Sequence, residues 1–86
     1  MRLVAFEPAA FKDFAEWATI DKKLHSRVVD LIIDTLRQPF TGIGEPEPLK
    51  HGLKGYWSRR INEEHRLVYK VTDDVIIIVS CKYHYG

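Results

Sequence analysis

The chain has a single cysteine, Cys81. A lone thiol closes no intrachain disulfide, so stability must come from packing, and a reducing cytoplasm is the expected setting. Long apolar runs are equally scarce. The longest β-branched stretch is VIIIV, Val75 to Val79, far short of the roughly 20 residues that cross a bilayer. The opening MRLVAFEPAAFKDF is broken by charge and proline, unlike the apolar segment of a secretory signal. No membrane role is expected. An excess of one charge is missing too, because thirteen Lys and Arg against twelve Asp and Glu leave +1. Residues 1–46 carry six and seven, for −1, and residues 47–86 carry seven and five, for +2. Neither half can hold nucleic acid by bulk electrostatics, so such a role needs a local cluster or a partner that delivers the substrate. Repeats and low-complexity tracts are absent. So is any compact His, Cys and Asp set of metal-ligand type, and neither metal nor cofactor is expected.

What is present suits one domain, residues 1–86, with 45% hydrophobic and 29% charged residues. A domain this small buries only roughly 60–65% of its unfolded surface, which favours stabilisation by a partner chain. RLVAF (Arg2 to Phe6) reads as a first strand, and Pro8 suits the first turn of a helix. Phe11, Phe14, Ala15 and Ala18 repeat at helical spacing. Asp21 can cap a second helix, whose apolar stripe is Leu24, Val28, Leu31, Ile32 and Leu36, and which Pro39 stops. From Phe40 to Lys54 the pattern breaks into an aperiodic loop rich in Gly and Pro. The remainder reads as three strands, about Gly55–Ile61, His65–Val71 and Val75–Tyr83, with turns at Asn62–Glu64 and Thr72–Asp74. The expected fold is α+β: two helices of the N-terminal half on one face of a mainly antiparallel, twisted sheet, in the order β-α-α-β-β-β.

Alternation assigns the faces. In the last strand Val75, Ile77, Val79, Cys81 and Tyr83 form the apolar side, with Val71 opposite Val75. Arg60, Arg66, Lys82 and His84 then share the open face, with Glu47, Lys50 and His51 nearby in the loop. Trp57 and Ile61 place Arg59 on the core side, where it must snorkel or sit near an edge.

A carboxylate and an imidazole, with ordinary pKa values of about 4.3 and 6.5, can divide the work of a base and an acid near neutral pH. RNA cleavage needs that pair, one to take the 2′-OH proton and one to protonate the leaving 5′-oxygen. It also needs fixed positive charge around the phosphate, which Arg60 and Arg66 can supply, with Lys50 as a third. Each residue has a plainer reading. Glu47 between prolines suits a solvated loop, WSRR suits a surface strand with ion pairs, and His51 and His65 are undecided. His25 reads as a surface residue. On these residues alone the chain is an α+β domain with a cationic patch.

Read continuously, the second half carries EPLKH, GYWSRRI, EEHRLVY and a terminal YHY, in that order. In these pieces, dense from Pro39 to Tyr85 and looser before, the chain resembles the YoeB-type toxins of bacterial toxin–antitoxin systems, within the RelE/ParE superfamily. The resemblance implies a RelE-like microbial ribonuclease fold and a ribosome-dependent mRNA endonuclease. Such an enzyme cuts in the ribosomal A site by 2′-OH attack, leaving a 2′,3′-cyclic phosphate and inhibiting translation. It implies Glu47 as general base, His84 as general acid, Arg66 as the transition-state arginine and Tyr85 as a residue that shapes the site. RNA contacts are expected from Lys50, Arg60, His51, Arg59 and Lys82. The implied partners are a cytoplasmic YefM-like antitoxin, the 70S ribosome with its mRNA, and a second copy of the chain. The family ends at YHY, where this chain adds Gly86. Two rival functions stand beside this one: a ParE-like toxin that poisons gyrase, and an inert module that only binds antitoxin. The set of Glu47, Arg66 and His84 argues against both.

Overall fold

A computed structural model describes residues 1–50 and 52–83. Its elements are β1 (Leu3–Phe6), α1 (Pro8–Ile20), α2 (Lys22–Arg37), β2 (Glu47–Pro48), β3 (Tyr56–Arg60), β4 (Arg66–Val71) and β5 (Val75–Ser80). Asp21 is the hinge between the helices. Its N–H donates to Trp17 O at 2.9 Å, ending α1, and its carboxylate accepts from Leu24 N at 3.1 Å, starting α2. Such a cap contributes about 1 kcal/mol. Pro8 occupies the first turn of α1, where no N–H is needed.

The sheet runs β1-β5-β4-β3-β2, antiparallel except for the parallel β1–β5 pair. The expected order holds with one addition. The two-residue β2 lies inside the segment read as loop, with Glu47 opposite Ser58 and Pro48 opposite Trp57. Among the described residues no helix is long and apolar enough to cross a membrane.

On α2 the expected stripe faces inward, with Leu24, Val28, Leu31 and Ile32 buried and Leu36 packed at the edge. On α1 the stripe is rotated. Ala10 and Trp17 are buried and Phe14 packs beside them, whereas Phe11 is 56% exposed. The Trp17 indole accounts for the rotation: its N–H donates to Cys81 O at 3.0 Å, drawing positions 10, 14 and 17 toward the end of β5.

The β5 faces also differ from expectation. Ile76 and Ile78, not Val75 and Ile77, are fully buried with Leu67 and Tyr69 beneath the helices. Val71 pairs with Ile76 rather than Val75, which shifts the strand by one residue. A bulge at Val79, between the pairs Tyr69–Ile78 and Val68–Ser80, shifts it back. Cys81 therefore lies in the core as expected. Burial, then the nearby Asp13 charge, pushes its thiol up to about 12. The thiolate is the reactive form, so native protein should resist iodoacetamide at neutral pH and take up one label only in denaturant. Stoichiometric labelling of the folded protein would contradict this packing.

Candidate active site

The face of the sheet away from the helices carries the polar group. In β3 and β4 the register pairs Ser58 with Val68 and Arg60 with Arg66, so all four side chains share that face. Glu47, opposite Ser58, joins them from β2. Glu47 Oε1 lies 3.3 Å from Arg66 Nη1, which also donates to Ser58 Oγ at 3.2 Å. The Glu47 side chain is 58% exposed and that of Arg66 28%. An ion pair this open is worth about 0–1 kcal/mol to the fold, so stability gives little reason for it. Arg60, exposed, faces Arg66 directly. Two guanidinium-bearing residues opposite each other repel, a cost that a bound phosphate would relieve. Lys50 is also exposed, just beyond β2.

Arg59 requires a correction. It is 0% exposed and cannot touch RNA. Strand alternation turns it toward the helices, where a buried charge must be paired. Its Nη1 donates to Asp34 Oδ2 at 2.7 Å and to Ile43 O at 3.1 Å. Nη2 donates to Gln38 O at 2.6 Å and Thr41 O at 2.8 Å, and Nε to Tyr69 Oη at 3.1 Å. Tyr69 in turn donates to Pro39 O at 2.9 Å. The Ile43 amide N–H above all, with Arg59 and Gln38, holds the Asp34 carboxyl below its ordinary 3.8 although burial works the other way. This network shapes the chain from Gln38 to Gly44. Gly44 then passes so close to α2, at φ +79°, that a Cβ would lie 2.7 Å from Leu31 Cδ2. Its carbonyl accepts from Arg60 N at 2.7 Å, guiding the chain into β2 and Glu47. Arg59 thus supports the site from below.

Lys82 also lies elsewhere. Its Nζ sits 5.8 Å from the Trp17 ring centroid and 5.5 Å from that of Tyr83, toward α1 and away from the Glu47–Arg66 pair. The strand ends at Ser80, so alternation does not carry through Lys82. Tyr83, expected in the core, is 56% exposed and has φ +63°. Its backbone nevertheless returns to the site, with Tyr83 O accepting from Arg66 N at 3.2 Å. His51, His84 and Tyr85 lie outside the described residues. His25 is half-buried against Phe14. His65, undecided from sequence, is buried and holds Tyr83 N at 2.8 Å. The signal was its place on the core side of the strand, in phase with Leu67 and Tyr69.

Among the described residues no three His, Cys, Asp or Glu side chains gather as a metal-ligand set. A cavity of about 280 Å³ lies between Asp21, Arg27 and Asn62, away from the Glu47–Arg66 pair. The polar group is instead an open shelf, which suits a long polymer better than a small molecule.

The family described as YoeB-like toxin of bacterial type II toxin-antitoxin system matches residues 6–85. The chain is similar to toxin YoeB of Escherichia coli, 53% identical over 85 residues that cover 99% of this chain and 100% of that protein. It superposes on the YoeB dimer from Staphylococcus aureus with a TM-score of 0.91, 48% identity and 98% of each chain covered. The S. aureus heterotetrameric YoeB–YefM toxin–antitoxin complex gives 0.88 and 49%, over 99% of this chain and 100% of that one. The chain belongs to the YoeB-like toxins of bacterial type II toxin–antitoxin systems, within the RelE/ParE superfamily.

Proposed function

We propose that the protein is a ribosome-dependent mRNA endonuclease that cleaves by general acid–base catalysis on the open face of its sheet. The observation that carries this reading is the Glu47–Arg66 pair, 3.3 Å apart and solvent-accessible, with the chain entering His84 from a residue bonded to the Arg66 amide. Glu47 takes the proton from a ribose 2′-OH. The 2′-oxygen attacks phosphorus, the bond to the 5′-oxygen breaks, and His84 gives that oxygen a proton. The products are a 2′,3′-cyclic phosphate and a 5′-hydroxyl. Negative charge grows on the phosphate oxygens as the bonds exchange, and Arg66 answers it with Nη1–H donors now shared between Glu47 and Ser58. Arg60 and Lys50 add fixed charge at the rim, and Tyr85 completes the site.

The near-zero net charge fits an enzyme that meets its RNA already threaded through a ribosome in the cytoplasm and needs little phosphate affinity of its own. Likeness to the S. aureus dimer and YoeB–YefM complex supports pairing with a second copy and with a YefM-like antitoxin. Primer extension on ribosomes programmed with a defined mRNA tests the reading. Discrete cuts within the coding region, absent from naked RNA, are expected. An intact message, or equal cutting without ribosomes, would overturn it.

Arg66→Ala should lower kcat about 10²–10³-fold, the usual cost of removing one transition-state donor, while KM for programmed ribosomes changes little. Arg60→Ala and Lys50→Ala should be milder because neighbouring charge remains. An equal loss of binding and turnover for Arg66→Ala would make it a docking residue instead.

A further inference from the structure

His65 begins where β3 and β4 meet. Asn62 Oδ1 accepts from His65 N at 2.7 Å, and His65 O accepts from Ile61 N at 3.0 Å, so its backbone is fixed by the turn. The ring is 6% exposed, 4.9 Å from the Trp17 ring and 5.3 Å from that of Tyr83. Its Nδ1 accepts the Tyr83 amide N–H at 2.8 Å. An amide N–H can only donate, so Nδ1 carries no proton. The ring proton sits on Nε2, 3.4 Å from Glu64 Oε1.

This bond lies at a demanding point in the chain. Tyr83 takes φ +63°, a left-handed conformation that is unfavourable for a residue carrying a Cβ. The conformation persists only if its surroundings enforce it. Three bonds do so: Trp17 to Cys81 O, His65 to Tyr83 N, and Arg66 N to Tyr83 O. The last two come from consecutive residues, so the side chain of one and the backbone of the next grip the same peptide pair. The following residue is His84.

We propose that His65 is a positioning residue, whose Nδ1 accepts the Tyr83 amide and fixes the peptide from which the chain continues to His84, the acid of the proposed reaction. The inference rests on the nuclease reading and assigns the buried histidine a part in it. His65→Phe keeps a ring between Trp17 and Tyr83 but puts a C–H where the acceptor was. His65→Asn places an oxygen near the same position. His65→Leu carries the same comparison if phenylalanine proves too large to fold.

The test has two arms on the full chain. Hydrogen exchange at the Tyr83 amide, followed by NMR, reads the bond itself, which should be protected in wild type and His65→Asn and fast in His65→Phe. Cleavage kinetics on programmed ribosomes read the consequence. His65→Phe should lose about 10–10²-fold in kcat, the scale of a misplacement near 1 Å, with KM held and most of the loss restored in His65→Asn. On a message whose scissile 5′-oxygen is replaced by sulfur, which leaves without a proton, the His65→Phe deficit should vanish. A protected Tyr83 amide in His65→Phe overturns the bond's importance. Fast exchange with unchanged kcat, or with the same deficit on both messages, overturns the positioning of an acid. Wild type that cuts no message would defeat the nuclease reading and this role together, while the exchange arm still decides whether the bond holds the chain.

Discussion

Arg59→Met is expected to cost about 3–5 kcal/mol of folding free energy, the range for breaking a buried ion pair by removing one partner. Methionine fills much of the volume but strands the Asp34 carboxylate and the carbonyls of Gln38, Thr41 and Ile43. At 0.05–0.15 kcal/mol per residue the whole chain holds roughly 4–13 kcal/mol, so the loss is a large share of the total. Urea denaturation reads it as a lower midpoint. Arg59→Met combined with Asp34→Leu should recover part of the stability, because the orphaned charge leaves with its partner. Acid gives a further check. The folded pKa of Asp34 lies below its unfolded value near 3.8, so the unfolded chain binds that proton first. The contribution is full above 3.8 and is lost as pH falls through the folded value. Wild type should therefore lose more stability on acidification than Arg59→Met does. A single variant within 1 kcal/mol of wild type would contradict the structural role of Arg59.

That residue also shows how far the sequence could be read. Alternation from Trp57 and Ile61 correctly placed Arg59 on the core side. The next step follows from electrostatics: a fully buried guanidinium demands a carboxylate, and Asp34 stands on α2 among buried neighbours. The helix boundaries were legible because Pro8, Asp21 and Pro39 each act locally. The stripe on α1 was not, since Trp17 can bury its ring only where its N–H finds Cys81 O, a partner 64 residues away. The β5 register was hidden for a different reason. VIIIV presents apolar side chains on both faces, so a one-residue shift changes nothing in the pattern. The bulge at Val79 then restores the phase, which is why Cys81 lies in the core as expected although Ile76 and Ile78 are buried in place of Val75 and Ile77. Within the candidate site, Arg60 and Arg66 share the open face as the facing argument anticipated, and Glu47, which that argument had only nearby in sequence, joins them from β2. Lys82 does not, because the strand stops before it and its charge settles over Trp17.

The proposed division of labour between Glu47 and His84 carries the largest expected effect on activity. Loss of a general acid or base typically costs about 10²–10⁴-fold in rate, so Glu47→Ala and His84→Ala should each be deeply impaired on an ordinary message. Thermal melting of both variants alongside wild type separates chemistry from folding, since a loss of about 1 kcal/mol moves Tm by roughly 4–8 °C in a domain of this size. The measurement that distinguishes the two roles is single-turnover cleavage, on programmed ribosomes, of a message carrying sulfur in place of the scissile 5′-oxygen. A thiolate leaves without protonation, so His84→Ala should recover most of its lost rate on that message, whereas Glu47→Ala, still lacking a group to take the 2′-OH proton, should not. Recovery of Glu47→Ala instead, or of neither variant, would contradict the assignment of base and acid.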